Sequence, residues 1–192
     1  MNLPKNFTSK SKEKFIYNGK NIEISKCQTE FKKWIGITPS DSFGGKPFLD
    51  YKGQPVFAEI LVLKTMQDAG WQARWISTYG NSRNPKMLDN WTNGKYGEQI
   101  HVPIESEFVM SRLNQIVTAN GGKYSGCWDV LAWQKDQIKF IELKRNKKDQ
   151  IRQTQIMWLV RQGLSLYSVI SKCFGINRGA KKENSRSSAT DK

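Results

Sequence analysis

The sequence has little histidine and cysteine, and the few that it has are scattered. His101 is the only histidine, and Cys27, Cys127 and Cys173 form no C-x-x-C pair. Structural zinc sites are clusters of these two residue types, and the disulfide frameworks of small secreted proteins use an even number of cysteines. The sequence therefore argues against a zinc site and a disulfide framework, and it favours a reducing, cytoplasmic environment.

Long apolar runs are also missing. No stretch approaches the length of about 18 apolar residues that a membrane-spanning helix needs. The lysines near the N-terminus are not followed by the apolar segment of a secretory signal. We therefore expect neither a membrane segment nor a secreted protein.

Acidic residues are outnumbered. The chain has 31 lysines and arginines against 17 aspartates and glutamates, which gives a formal net charge of +14. Such an excess favours a polyanionic partner. Nucleic acid is the first candidate and an anionic membrane surface the second, but no basic amphipathic helix of the membrane-binding type stands out. A soluble basic protein without such a partner is the plain alternative.

The length of 192 residues is enough for one domain with a sizeable core and two tails. Residues 1–25 are predicted to be a basic N-terminal arm, mobile over 1–14, followed by a hairpin that turns at Asn18-Gly19. Residues 26–172 are predicted to be a single domain. Residues 173–192 have the composition of a disordered basic tail.

Apolar periodicity and turn residues predict an alternation of helices and strands. Pro55 suits the first turn of a buried helix, Gly70 suits the position after its end, and Asp149 suits the cap of a later helix. We predict helices at 29–35, 55–69, 105–119 and 149–163, strands at 71–77, 128–134, 138–144 and 164–170, and loops at 36–55 and 78–104.

Three charged residues lie in the two central predicted strands. Asp129 is near the start of the first, and Glu142 and Lys144 lie two apart in the second, so the latter two share one face of a sheet. The residues around them are largely apolar, and charges in such surroundings are normally paired or bound to a metal. If the two strands form a hairpin, two carboxylates and one ammonium group converge.

Such a group has the chemistry for hydrolysing a phosphodiester. Two neighbouring carboxylates repel each other, and a hard cation such as Mg²⁺ relieves that repulsion. A lysine beside the cation can position water or offset charge on a phosphate. The alternative is that these are ordinary surface charges, because a Glu-x-Lys triplet by itself is common.

This pattern resembles the PD-(D/E)XK nuclease superfamily. Asp129 is followed by Glu142-Leu143-Lys144 and then by a helix that carries Gln155, which is most similar to the VRR-NUC branch. The resemblance covers roughly residues 55–170. One departure is visible, since Trp128 stands where the motif often has proline.

The resemblance implies an α/β fold, with a restriction-endonuclease-like αβββαβ core in which helices flank a mixed central sheet. It implies that Asp129, Glu142 and the Leu143 carbonyl bind Mg²⁺ or Mn²⁺ and that Lys144 orients the attacking water. Gln155 and Glu59 would assist. For Gln155 the alternative is an ordinary buried amide, and for Glu59 it is a solvent-facing glutamate at the rim of a helix.

The expected function is metal-dependent cleavage of DNA, in repair, recombination or the processing of phage and mobile elements, by a bacterial or phage-encoded intracellular protein. A non-catalytic DNA-binding module on the same fold and an RNA-directed nuclease are the alternatives. Stand-alone VRR-NUC proteins resemble dimeric junction-resolving enzymes, so a homodimer is a further expectation. The basic residues expected to contact nucleic acid are Lys123, Arg145, Lys147, Lys148 and Arg152.

Overall fold

The computed structural model describes residues 3–9, 11–145, 149–161 and 168–174. Within these ranges the chain forms nine strands and three α-helices. The strands are β1 (Ser11–Tyr17), β2 (Lys20–Glu30), β3 (Leu49–Tyr51), β4 (Gln54–Val56), β5 (Gln72–Ser77), β6 (Lys86–Leu88), β7 (Val130–Gln134), β8 (Gln137–Arg145) and β9 (Ser168–Phe174). The helices are α1 (Ala58–Asp68), α2 (Glu107–Ala119) and α3 (Gln153–Arg161). None of these helices has the length and apolar character needed to cross a membrane.

Seven strands form one mixed sheet in the order β1-β2-β9-β8-β7-β5-β6. The pairs β5–β6, β5–β7 and β7–β8 are antiparallel, whereas β9 is parallel to both β8 and β2. Parallel strands need a crossover connection, and α3 lies in the connection from β8 to β9. The chain is therefore a mixed α/β protein, as predicted.

Each face of the sheet is covered by helix. On one face the apolar side of α1 packs on Val130 and Ile141. On the other face α2 and α3 pack on Leu131 and Phe140. Successive strand residues point to opposite faces, so β7 and β8 contribute alternate side chains to two separate cores. A charged side chain on either face of these strands is therefore expected to be buried, and it needs an ion-pair or hydrogen-bond partner.

Several predicted elements are confirmed with small changes in their ends. The strands predicted at 71–77, 128–134 and 138–144 are β5, β7 and β8, and the helix predicted at 105–119 is α2. The hairpin at Asn18-Gly19 is also present, with positive φ at both residues, as a tight two-residue turn requires. Gly70 has positive φ directly after α1, as predicted.

The prediction of a helix at 29–35 is wrong. Thr29 and Glu30 belong to β2, where Thr29 pairs with Cys173 of β9. That partner is far away in sequence, so the local spacing of Phe31 and Trp34 gave no sign of it. Tertiary pairing here overrides local helical spacing.

The predictions around Pro55 also need correction. The loop predicted at 36–55 contains the small hairpin of β3 and β4, which turns at Lys52-Gly53 with positive φ at both residues. Pro55 lies in β4 rather than in the first turn of a helix, and α1 begins at Ala58. A two-stranded sheet has only edge strands, so it tolerates a residue without a backbone N–H.

Both ends of the chain differ from expectation where the structure describes them. Ser11–Lys14, predicted to be part of a mobile arm, lie in β1, and Phe7 is buried. The strand predicted at 164–170 is found later, as β9, and it includes residues 173 and 174 of the predicted tail. Residues 175–192 lie outside the described residues. Asp149 is not the cap of α3, because that helix begins at Gln153.

Candidate functional site

The β7–β8 hairpin brings Asp129 next to Glu142. Val130 of β7 pairs with Ile141 of β8, so Asp129, which immediately precedes β7, lies beside Glu142 in the same register. The backbone N–H of Leu143 donates a hydrogen bond of 3.0 Å to Oδ2 of Asp129. The two carboxylates that the sequence placed thirteen residues apart therefore lie at adjacent positions on neighbouring strands.

Glu142 and Lys144 form a buried ion pair. Both residues are less than a tenth exposed, and Nζ of Lys144 lies 2.5 Å from Oε1 of Glu142. The other oxygen of Glu142, Oε2, is buried and has no hydrogen-bond partner among the described residues. Leaving a charged buried oxygen unpaired is costly, so this atom marks the site as incomplete without a further group.

Burial and repulsion between carboxylates govern the protonation of the site. Burial, followed by the charges of Glu142 and Glu59, raises the pKa of Asp129 well above its usual value. The Leu143 N–H lowers that pKa but does not offset the rise. Burial also raises the pKa of Glu142, although Lys144 lowers it. Both carboxyl groups are therefore harder to ionise than exposed ones, and a positive charge beside them would lower their pKa values.

The start of α3 is fixed against this centre. The buried indole of Trp128 donates to the carbonyl of Gln155 at 3.4 Å. Gly126 has positive φ and lies so close to α3 that a Cβ there would come within 2.4 Å of the carbonyl oxygen of Thr154. Glycine is thus required at this position, because only its lack of a side chain allows the close approach to α3.

Gln155, on α3, acts on the charged centre formed by Asp129, Glu142 and Lys144. It is buried, and its Oε1 accepts a hydrogen bond of 3.0 Å from the backbone N–H of Arg152, at the start of α3. Gln155 also lowers the pKa of Glu142. This side chain therefore helps to define the start of α3 and acts on the acid.

Glu59, on α1, is buried rather than solvent-facing, and it forms an ion pair with Lys46. Glu59 raises and Lys46 lowers the pKa of Asp129, so both charges act on the same centre. Lys46 was missed in the sequence. It lies in the stretch predicted to be a loop, where the only local sign of an unusual backbone conformation is the Gly44-Gly45 pair before it.

The donor set fits a hard divalent cation, with limits. No group of three or more His, Cys, Asp or Glu side chains is arranged to hold a metal in the part of the chain that the structure describes. Mg²⁺, however, is usually held by one or two carboxylates and keeps several waters. The Asp129 carboxylate and the unpaired Oε2 of Glu142 supply oxygen donors of that kind.

The predicted nucleic-acid contacts are described only in part. Lys123 is exposed in the loop that leads to Asp129, and Arg152 is exposed at the start of α3. Both residues are therefore close in sequence to residues of the charged centre. Arg145 ends β8, but its side chain, and Lys147 and Lys148 altogether, lie outside the described residues.

Comparison with known proteins adds no family. No protein-family model, no curated protein and no solved structure matches this chain significantly. The residues of the site are therefore the basis on which a function can be assigned.

Proposed function

We propose that this chain is a metal-dependent nuclease of the PD-(D/E)XK type that hydrolyses DNA. The observation that carries the proposal is the buried carboxylate of Glu142. One of its oxygens is held by Lys144 and the other has no hydrogen-bond partner in the described part of the chain. Asp129 lies beside it and is itself disfavoured as an anion. A cation at this point would relieve both penalties.

The order of the elements supports the proposal. α1, β5, β7, β8, α3 and β9 follow each other as helix, three strands, helix and strand, with the last strand parallel to the one before it. This is the αβββαβ order that the sequence resemblance implies, with β6 and α2 inserted between the first two strands. Asp129 immediately precedes the second strand of this series and Glu142 lies on the third, which agrees with the motif.

Each residue of the site would have its own role in the reaction. Asp129, Glu142 and the carbonyl of Leu143 would hold Mg²⁺ or Mn²⁺. A cation held there would polarise the scissile phosphate and lower the pKa of a water molecule. Lys144, released from Glu142, would orient the attacking water and offset negative charge on the phosphate.

Gln155 and Glu59 would assist from the two helices. Gln155 is buried and lowers the pKa of Glu142, so its amide would help to hold that carboxylate or a water in place. Glu59 acts on Asp129 through its charge, and its partner Lys46 keeps that charge balanced. The net charge of +14 and the exposed Lys123 and Arg152 fit a polyanionic substrate.

A panel of DNA substrates tests the proposal. Purified protein is incubated with duplex, flap, junction and single-stranded DNA in Mg²⁺, Mn²⁺, Zn²⁺ or EDTA. We expect cleavage with Mg²⁺ or Mn²⁺, none with EDTA and no gain from Zn²⁺, because the donors are hard oxygens. Asp129→Asn should bind but not cut. Binding without cutting under any of these conditions would leave a non-catalytic DNA-binding module, and undiminished cutting in EDTA would exclude the metal.

A further inference from the structure

Six aromatic rings that are dispersed in sequence form one continuous cluster. Phe57 and Trp75 anchor it in the core, and its outer part is formed by rings from separate loops. Neighbouring ring centroids in the cluster lie 4.9–6.5 Å apart. The aromatic cluster comprises Phe43, Phe57, Trp75, Tyr79, Trp91 and Tyr96.

The outer end of the aromatic cluster faces solvent. Tyr79 is 67% exposed, and it meets Phe43 and Tyr96 edge-on at 5.1 Å and 5.2 Å between centroids. Phe43 and Tyr96 are themselves nearly parallel, with an interplanar angle of 25°. A single exposed ring on a protein surface is ordinary, but this one is the open end of a stack that runs into the core.

The loop that carries Phe43 is held in a strained conformation. Phe43 has a φ of 45°, which is unusual for a bulky residue. A hydrogen bond from its N–H to the Asp41 side chain and one from the Lys46 N–H to the Ser42 carbonyl maintain the turn. Strain of this kind tends to be kept where a site needs it, and here it positions Phe43 and Lys46 together.

The aromatic cluster is linked through Lys46 to Glu59, and the charges of both residues act on Asp129 of the charged centre. Nζ of Lys46 lies 5.1 Å from the centroids of both Phe43 and Trp75, and the same lysine pairs with Glu59. On the far side, Nζ of Lys86 lies 5.2 Å from the Tyr96 centroid. Aromatic rings with lysine ammonium groups over them suit a ligand that has both flat apolar faces and phosphates.

We infer that the aromatic cluster stacks an unpaired nucleobase at Tyr79, so that the strand to be cut reaches the charged centre in single-stranded form. Bases stack on aromatic side chains without sequence preference, whereas bases in a duplex have their faces covered by their neighbours. The cleavage step in this inference rests on the proposed nuclease activity, whereas the binding of the base does not. The expected substrates are nucleic acids with single-stranded regions, such as flaps and junctions.

Binding of short strands with and without bases tests the inference. Affinity is measured by fluorescence anisotropy in EDTA, so that no cleavage occurs, with an oligothymidine and with an abasic strand of the same length. We expect Tyr79→Ala to bind the oligothymidine about 5- to 150-fold more weakly, as loss of one stacking contact predicts. Its binding to the abasic strand, which keeps the phosphates, should match the wild type. An oligouridine of the same length tells whether DNA or RNA is the preferred source of the base.

Two matched variants complete the test. Tyr79→Phe keeps the ring and should bind like the wild type, and so should Phe108→Ala, which removes a partly exposed aromatic from α2. Equal affinity of Tyr79→Ala and wild type for the oligothymidine would overturn the inference, as would an equal loss on both strands. If the stacking effect is present but the wild type cuts no DNA with any metal, the base site stands and the nuclease proposal fails.

Discussion

The charged centre, formed by Asp129, Glu142 and Lys144, differs in construction from the aromatic cluster. The charged centre lies on two adjacent strands, is largely buried, and has an acid oxygen without a partner in the described part of the chain. The aromatic cluster gathers rings from several loops, and its outer ring is open to solvent. The strands hold charges in a fixed position at an energetic cost, and the loops offer an apolar surface that a ligand can cover.

On the two proposals above, the charged centre would carry out the reaction and the aromatic cluster would bind the strand. In the proposed reaction the charged centre would act when a cation offsets the repulsion between its acids, so we expect its contribution to depend on metal and on pH. The aromatic cluster needs neither, because stacking and apolar contact operate without protonation changes. Lys46 connects the two regions, since it touches the rings and pairs with Glu59. Each of the following predictions disturbs one region and leaves the other as a reference.

The largest effect is expected from removing the lysine of the charged centre. Lys144→Met should lower the rate of DNA cleavage about 100-fold or more, because a group that stabilises charge in the transition state is lost. Binding of single strands at the aromatic cluster should be unchanged. Lys139→Met is the matched control, since Lys139 lies on the same strand with the same 8% exposure but faces the opposite side. Equal activity in the two variants, measured by single-turnover cleavage, would remove Lys144 from the mechanism.

The second prediction concerns the contact that sets α3 against the charged centre. Gly126→Ala should destabilise the protein by roughly 2–5 kcal/mol, which combines the cost of positive φ with overpacking against Thr154. Gly121→Ala is the control, because Gly121 also has positive φ but has nothing within 4 Å of a Cβ. It should lose only the conformational part, about 1–2 kcal/mol. Urea denaturation measures both, and equal losses would mean that the close approach to Thr154 does not matter.

The third prediction uses the raised pKa of Asp129. A carboxyl group whose pKa is higher in the folded protein stabilises the fold fully below its unfolded pKa, near 3.8, and this contribution is lost as pH rises through the folded pKa. Without metal, Asp129→Asn should therefore melt a few degrees above the wild type at neutral pH, since about 1 kcal/mol moves Tm by roughly 2–4 °C in a domain of this size. The difference should vanish towards pH 3.8.

Adding the cation provides the control for this result. Mg²⁺ or Mn²⁺ binds the folded wild type and stabilises it by mass action, so the order of the two melting temperatures should reverse or the gap should close. A wild type that melts above Asp129→Asn at neutral pH without metal would contradict the assignment of Asp129 as a disfavoured anion.

The two regions also differ in how far the sequence reveals them. Asp129 immediately precedes β7 and Glu142 lies on β8, and a tight turn joins these strands, so the spacing of the two residues alone is enough to bring them together. The helix turn that directs Gln155 inward is equally local. By contrast, Lys46, Tyr79 and the rest of the aromatic cluster meet only through long-range folding, and no periodicity connects their loops. The end of β2 at Thr29 was predicted to be helix for the same reason, because Thr29 pairs with Cys173, which is far away in sequence.

The smallest effect is expected from single basic residues beside the charged centre. Each phosphate that a cation neutralises adds about 0.9 to the slope of log affinity against log salt on duplex DNA, and about 0.7 on a single strand. Lys123→Gln and Arg152→Gln should therefore each flatten the slope by about that amount, with the same change for every DNA sequence. Lys135→Gln is the control, because Lys135 is exposed at the opposite end of β7, in the turn before β8. Titrations at several salt concentrations, with single strands and duplexes, compare the three variants. A slope that falls equally in all three would mean that net charge alone attracts DNA. A slope that falls only for Lys123→Gln and Arg152→Gln, and by the smaller single-strand amount, would place an unpaired strand across the charged centre.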